Sequence, residues 1–143
     1  MKKKLLISLA TMVMSSSALA ATLEVNKSPN CGCCNAWVKH MQDNGFDVKA
    51  NNVTNLNNIK QSLGVPRNQA SCHTATINGY VIEGHVPASA VQQLLKDKPQ
   101  NITGISVAGM PIGSPGMESP SGQTQPYNVV AFNNDKQWTY ASF

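Results

Sequence analysis

The sequence predicts an α/β fold of order β-α-β-α-β-β-α, and a few local signals carry that prediction. Short runs alternate apolar and polar residues. Other stretches place apolar residues at helical spacing and end at a glycine or proline. One Asn-Gly turn lies between two β-rich arms. Thr22-Leu23-Glu24-Val25-Asn26 alternates and reads as the first strand. Ser28-Pro29-Asn30 is a turn, and Cys31-Gly32-Cys33-Cys34 follows it. Trp37, Val38 and Met41 then recur at helical spacing, and Asn44-Gly45 closes the helix with a C′ glycine. Phe46, Val48 and Val53 mark a second strand. Leu56, Ile59 and Leu63 mark a second, short helix that Gly64 ends before Val65-Pro66.

Thr74-Ala75-Thr76-Ile77 and Tyr80-Val81-Ile82-Glu83 form a hairpin about Asn78-Gly79, a type I′ turn signal. Pro87 suits the first turn of a third helix carrying Val91, Leu94 and Leu95, and Pro99 ends it. Beyond it lie Gly104-Ile105-Ser106-Val107, a Gly/Pro-rich loop over 109–120, and a last hairpin of 127–132 and 137–140 about Asn133-Asn134-Asp135. The core order is that of the thioredoxin fold. The chain is thus expected to be thioredoxin-like, a glutaredoxin-like core with an added C-terminal loop and β-hairpin. In that fold the first helix opens on a Cys-x-x-Cys pair, which is where Cys31 to Cys34 fall here.

The N-terminus has a different character. Met1-Lys2-Lys3-Lys4 is followed by an apolar run from Leu5 to Met14 and by Ala18-Leu19-Ala20. A basic start, a short apolar stretch and an A-x-A site together read as a secretory signal peptide over residues 1–20. The run is too short to stay behind as a membrane span. Residues 21–143 are then expected to form one exported domain. The formal charge of +4 also shrinks, because Lys2, Lys3 and Lys4 belong to the signal. The remainder is close to neutral and has no basic patch interleaved with aromatics, which argues against nucleic-acid binding.

Four cysteines carry the chemistry. Cys31 and Cys34 have the spacing that lets two thiols meet across a helix entry, where N–H groups and the helix dipole favour thiolate. Thiolate is both the nucleophile of disulfide exchange and the metal-binding form. Cys33 tilts the choice. A dithiol oxidoreductase needs two cysteines, and a third between them invites mispairing. For a soft metal, three sulfurs on one turn are an asset, and thiolates suit Cu(I), zinc and iron–sulfur clusters. Cys72-His73 falls where the fold places its cis-proline, with His73 at the proline position, so both residues are expected beside Cys31 to Cys34. Two structural disulfides are the bland alternative in an exported chain. Such pairing would bond adjacent Cys33 and Cys34 or crowd two bridges onto one turn.

His40 lies well down the first helix and reads more as a solvated or core-edge side chain than as a ligand. His73 is the best histidine candidate. His85, at the mouth of the third helix, stands open between ligand and structural residue. Met110 and Met117 sit in the Gly/Pro-rich loop without helical periodicity. As soft thioether donors they could close the site as a lid, or one could pack beneath an ordinary surface loop.

The combination of Cys31-Gly32-Cys33-Cys34, Trp37, His40-Met41, Gly45-Phe46, Gly64-Val65-Pro66, Ser71-Cys72-His73-Thr74-Ala75, Gly79-Tyr80, Glu83-Gly84-His85-Val86-Pro87, Gly109-Met110-Pro111 and Gly113-Ser114-Pro115-Gly116-Met117-Glu118 resembles the CopG-like family of periplasmic copper-resistance proteins, long catalogued as a domain of unknown function. The resemblance covers nearly all of residues 21–143. It implies a thioredoxin-like fold, copper binding at the cysteine cluster, a part in copper tolerance beside efflux systems, and a redox role involving copper. The expected protein is a monomer that binds Cu(I) through Cys31, Cys33, Cys34 and Cys72. Four thiolates exceed the need of one Cu(I), so a multinuclear cluster is an option. His73, His85, Met110 and Met117 would complete or shield the site. An efflux system or a periplasmic copper carrier would be its partner. A thiol–disulfide oxidoreductase using Cys31 and Cys34 is the rival reading, and a zinc or iron–sulfur site is a weaker third.

Overall fold

The computed structural model describes residues 21–143, so the expected signal peptide over 1–20 lies outside the described residues. The elements follow in the order β1 (Thr22–Lys27), α1 (Gly32–Asp43), β2 (Asp47–Asn52), α2 (Leu56–Ser62), a 3₁₀ turn (Arg67–Gln69), β3 (His73–Ile77), β4 (Tyr80–Gly84), α3 (Ala88–Asp97), β5 (Gly104–Val107), β6 (Asn128–Phe132) and β7 (Gln137–Ser142). The expected β-α-β-α-β-β-α order is thus present. The turn residues do what their types suggest. Gly45 and Gly64 end α1 and α2 with φ of +87° and +73°, and Asn78 and Gly79 both have positive φ, as a type I′ turn requires.

All strands among the described residues belong to one seven-stranded mixed sheet of order β2-β1-β3-β4-β5-β6-β7. β1 runs parallel to β2 and antiparallel to β3, and β3 pairs antiparallel with β4 through the hairpin. β5 extends the sheet parallel to β4, and the C-terminal hairpin continues it antiparallel, with an irregularity between Val129 and Val130. The added hairpin is therefore an extension of the core sheet, bridged by β5.

Strand alternation sends neighbouring side chains to opposite faces. On one face Leu23, Val25, Ala75, Ile82 and Ile105 bury against Trp37 and Met41 of α1 and Val91 and Leu94 of α3. On the other, Val81 and Phe132 pack with Val65 and Leu63 beside α2. Trp37 is fully buried, and its indole Nε1–H donates to the Val86 carbonyl at 2.9 Å. This bond ties α1 to the segment that leads from β4 into α3. The cysteine turn at the start of α1 is thereby held against the 84–87 segment.

Candidate metal centre

Cys31 stands at the N-cap of α1 in extended geometry, and its Sγ accepts the Cys34 N–H at 3.3 Å. A sulfur thus fills the place usually taken by a hydroxyl or carboxylate oxygen. Cys33 and Cys34 sit in the first turn, and Cys72 lies just before β3. The Cys33 sulfur is 3.5 Å from that of Cys31 and 3.7 Å from that of Cys72. The ligand atoms of Cys31, Cys33, Cys34 and Cys72 all lie within 4.8 Å of one another, and those of Cys72, His73 and His85 form a second such group. Cys72 belongs to both groups. The expectation that Cys72 and His73 stand beside the cysteine turn is met.

The thiols are not all equivalent. Cys31 and Cys34 are joined as a disulfide, and Cys33 and Cys72 are free and half-buried. The full four-thiolate set therefore becomes available only when that bond is reduced. Burial, with the neighbouring Cys33 thiol, pushes the Cys72 thiol up to about 11.

Both histidines of the site are completely buried. His85 Nδ1 lies 2.8 Å from the Pro115 carbonyl, which can only accept, so Nδ1 carries the proton. Its other nitrogen, Nε2, then presents a lone pair 2.9 Å from Cys72 Sγ. Burial lowers the affinity of His85 for a second proton. The His73 ring lies 4.4 Å from Trp37 and 5.2 Å, edge-on, from His85, with Nδ1 3.5 Å from Cys72 Sγ. Burial, then His85 and Lys60, holds its pKa down to about 3, so the ring is neutral. His73 Nε2 is buried and has no hydrogen-bond partner among the described residues. With the Cys31–Cys34 bond reduced, three sulfurs on one turn, a fourth across it and two neutral imidazoles could hold a soft metal ion.

The Gly/Pro-rich loop does reach this centre. Gly116 has φ of +86°, and a Cβ there would meet the Cys33 carbonyl at 2.7 Å and the Trp37 nitrogen at 2.9 Å. Only glycine lets the loop lie this close to α1. Met117 beside it is half-buried, whereas Met110 is 53% exposed and Ile112 43%. His40 stands apart from the cluster. Its Nε2 accepts the Ala88 N–H at 3.1 Å, at the start of α3, in keeping with a structural core-edge residue. A cavity lined by Lys60, Val65 and Arg67 among others lies beside α2, and no cysteine lines it. Donor atoms already in contact need no ligand-sized cavity.

The chain is similar in fold and sequence to a copper resistance protein CopG solved in two forms. Form 2 is 37% identical, with a TM-score of 0.80, and the match covers 86% of this chain and 98% of that one. Form 1 is also 37% identical, with a TM-score of 0.79 and coverages of 85% and 96%. The chain belongs to the CopG family. The family model described as a protein of unknown function, DUF411, matches residues 69–117, the stretch that holds Cys72, His73, His85, Met110 and Met117. A search of the curated proteins gives no significant match. A mixed α/β fold, membership of a copper-resistance family and a cysteine cluster able to hold a metal are thus common ground between sequence and structure. Among the described residues no helix is long and apolar enough to cross a membrane.

Proposed function

We propose that the protein binds Cu(I) as its cargo in copper tolerance, using Cys31, Cys33, Cys34 and Cys72 as thiolates with His85 and His73 as imidazole donors. The observation that carries this reading is the position of Cys72, whose sulfur belongs both to the all-sulfur group and to the sulfur–imidazole group. A shared thiolate suits a bridge between two ions, so more than one Cu(I) is bound. The relatives named for copper resistance support the same cargo. Met117 shields the site from the loop, and Met110, exposed, is the outermost soft donor on the way in. The fold is a thioredoxin-like core of one domain over residues 21–143. Residues 1–20 act as the signal that sends it to the periplasm, where as a monomer it passes copper to an efflux system or carrier. Anaerobic reduction followed by Cu(I) titration tests the reading. Two or more ions should bind, and fewer in Cys33→Ser and Cys72→Ser. Unchanged Cu(I) stoichiometry and affinity in both variants would refute it.

The Cys31–Cys34 disulfide favours a second function in the same site. Two electrons from two Cu(I) ions would reduce this bond to two thiols, taking up two protons and leaving two Cu(II) ions, and the reverse would reduce copper. A thiol–disulfide oxidoreductase without copper is the rival. Insulin reduction that is rapid in metal-free protein and lost in Cys31→Ser would favour that rival.

A further inference from the structure

Glu83 is a fully buried carboxylate on β4, with donors on three sides. Its Oε1 accepts from Lys60 Nζ of α2 at 2.5 Å and from the Ser71 backbone N–H at 2.6 Å. Its Oε2 accepts from Thr74 Oγ1 at 2.6 Å, and Lys60 Nζ donates to the same hydroxyl at 2.8 Å. Thr74 is the cross-strand partner of Glu83 in the β3–β4 ladder. Ser71 is the residue before Cys72, and it lies in the irregular stretch between the 3₁₀ turn and β3. Its N–H therefore has no helix or strand to bond to, and the Glu83 carboxylate is its acceptor. A hydrogen bond of this charge-assisted kind is short and directional.

The same short segment carries the other donor. His85 follows Glu83 by two residues, and Gly84 between them is pressed on the Ser71 side chain. A Cβ on Gly84, at φ of +73°, would come within 2.6 Å of Ser71 Cβ and 2.5 Å of the Val107 carbonyl. Cys72 and His85 are thus fastened through one carboxylate and one glycine contact. A buried ion pair adds little net stability compared with apolar residues of the same shape. What it adds here is a fixed acceptor on a rigid strand.

We infer that Glu83, held by Lys60 and Thr74, is a positioning residue that sets where Cys72 stands relative to His85 through the Ser71 N–H. The inference rests on the Cu(I) reading for its role, while the positioning itself is testable without metal. Partners behind a ligand typically matter by roughly 10–100-fold in metal affinity. Lys60→Met combined with Glu83→Leu removes the acceptor of the Ser71 N–H without leaving a lone buried charge, and should weaken Cu(I) binding by a factor in that range in protein that remains folded by circular dichroism. In metal-free protein the same variant should alkylate faster at Cys72, with the rate at Cys33 little changed. Thr74→Val removes one of the bonds that hold the carboxylate but spares the Ser71 bond, and should move both readouts in the same direction by less than the double variant does. Hydrogen exchange at the Ser71 amide of the wild-type chain is the check that needs no variant, and this amide should be protected. A Ser71 amide exchanging at the rate of open chain would overturn the inference, as would a folded Lys60→Met/Glu83→Leu protein with wild-type affinity and Cys72 reactivity. A wild-type chain that binds no Cu(I) would instead defeat the functional reading, leaving the exchange and alkylation results to judge the positioning.

Discussion

Cys72 Sγ lies 2.9 Å from His85 Nε2, and the proton on the far side of that imidazole is fixed by the Pro115 carbonyl. The pair is therefore a thiol facing a neutral ring, because burial keeps the Cys72 proton on up to about 11. A metal that takes Cys72 as thiolate must displace this proton. The expected outcome is Cu(I) affinity that rises with pH, by about tenfold per unit for each proton released. Competition against a chromophoric Cu(I) chelator across neutral pH measures it. Affinity that stays flat would mean that Cys72 is not a ligand.

The loop over the cluster depends on Gly116. Gly116→Ala meets both an unfavourable φ of +86° and backbone atoms of Cys33 and Trp37, whereas Gly109, with φ of +67°, has no atom within 4 Å of an added Cβ. The two alanine variants share a backbone strain of about 1–2 kcal/mol, and only the first also forces the loop away from α1. Thermal melting should show both destabilised, Gly116→Ala the more. Thiol alkylation at Cys33 should accelerate in Gly116→Ala alone. Equal rates in the two variants would show that the loop does not cover the site.

The helices, the hairpin and the cysteine turn were legible in the sequence because each has a local signal. Asn78-Gly79, for example, needs no tertiary contact to mark a turn. The place of Cys72 and His73 came from counting along a fold pattern, and the structure sets both against the cysteines. The Cys31–Cys34 bond is the pair that their spacing offered, although spacing alone could not choose between bonded and metal-binding thiols. The Lys60–Glu83 pair was missed, since its members are far apart in sequence and come together only when α2 packs on the sheet. Its trace was nonetheless there. Lys60 adjoins the apolar stripe of Leu56, Ile59 and Leu63, and Glu83 closes the arm Tyr80-Val81-Ile82. The role of His40 had no local signal, because its partner is the Ala88 N–H, 48 positions away.

His40 serves α3 as a cap from outside the helix. Pro87 at the N-cap provides no side-chain bond to the first turn, and His40 Nε2 accepts the Ala88 N–H in its stead. A protonated ring cannot accept there, and burial lowers the His40 pKa despite the opposing pull of Glu118 and Asp43. A base whose folded pKa is depressed binds fewer protons folded than unfolded. Its contribution is complete above the unfolded value near 6.5 and fades as pH falls below it. His40→Leu should cost about 1 kcal/mol at neutral pH, the usual worth of a cap. The deficit should narrow in acid, as the wild type loses the bond as well. Chemical denaturation at several pH values tests both, and a deficit that grows in acid would contradict this role.

Lys60 and Glu83 form a buried pair, Nζ to Oε1 at 2.5 Å, with both side chains almost wholly out of water. Burial pushes the Glu83 carboxyl above the ordinary carboxylate range, while Lys60 is the strongest of the groups pulling it back. Lys60→Met removes that pull and leaves a buried carboxylate with only neutral donors. Breaking such a pair on one side typically costs about 3–5 kcal/mol. The sign with pH then follows. An acid whose folded pKa is raised holds more protons folded than unfolded, so stability is lost as pH rises past the unfolded value near 4.3 toward the folded one. The deficit of Lys60→Met should accordingly be small in acid and full near neutrality, the opposite trend to that expected for His40→Leu. Lys60→Met combined with Glu83→Leu removes both charges and should recover most of the lost stability, because apolar replacements of buried pairs are often neutral or better. It should not recover the Cu(I) affinity, since the Ser71 N–H still lacks its acceptor. Recovery of stability and affinity together would show that the carboxylate serves the fold alone.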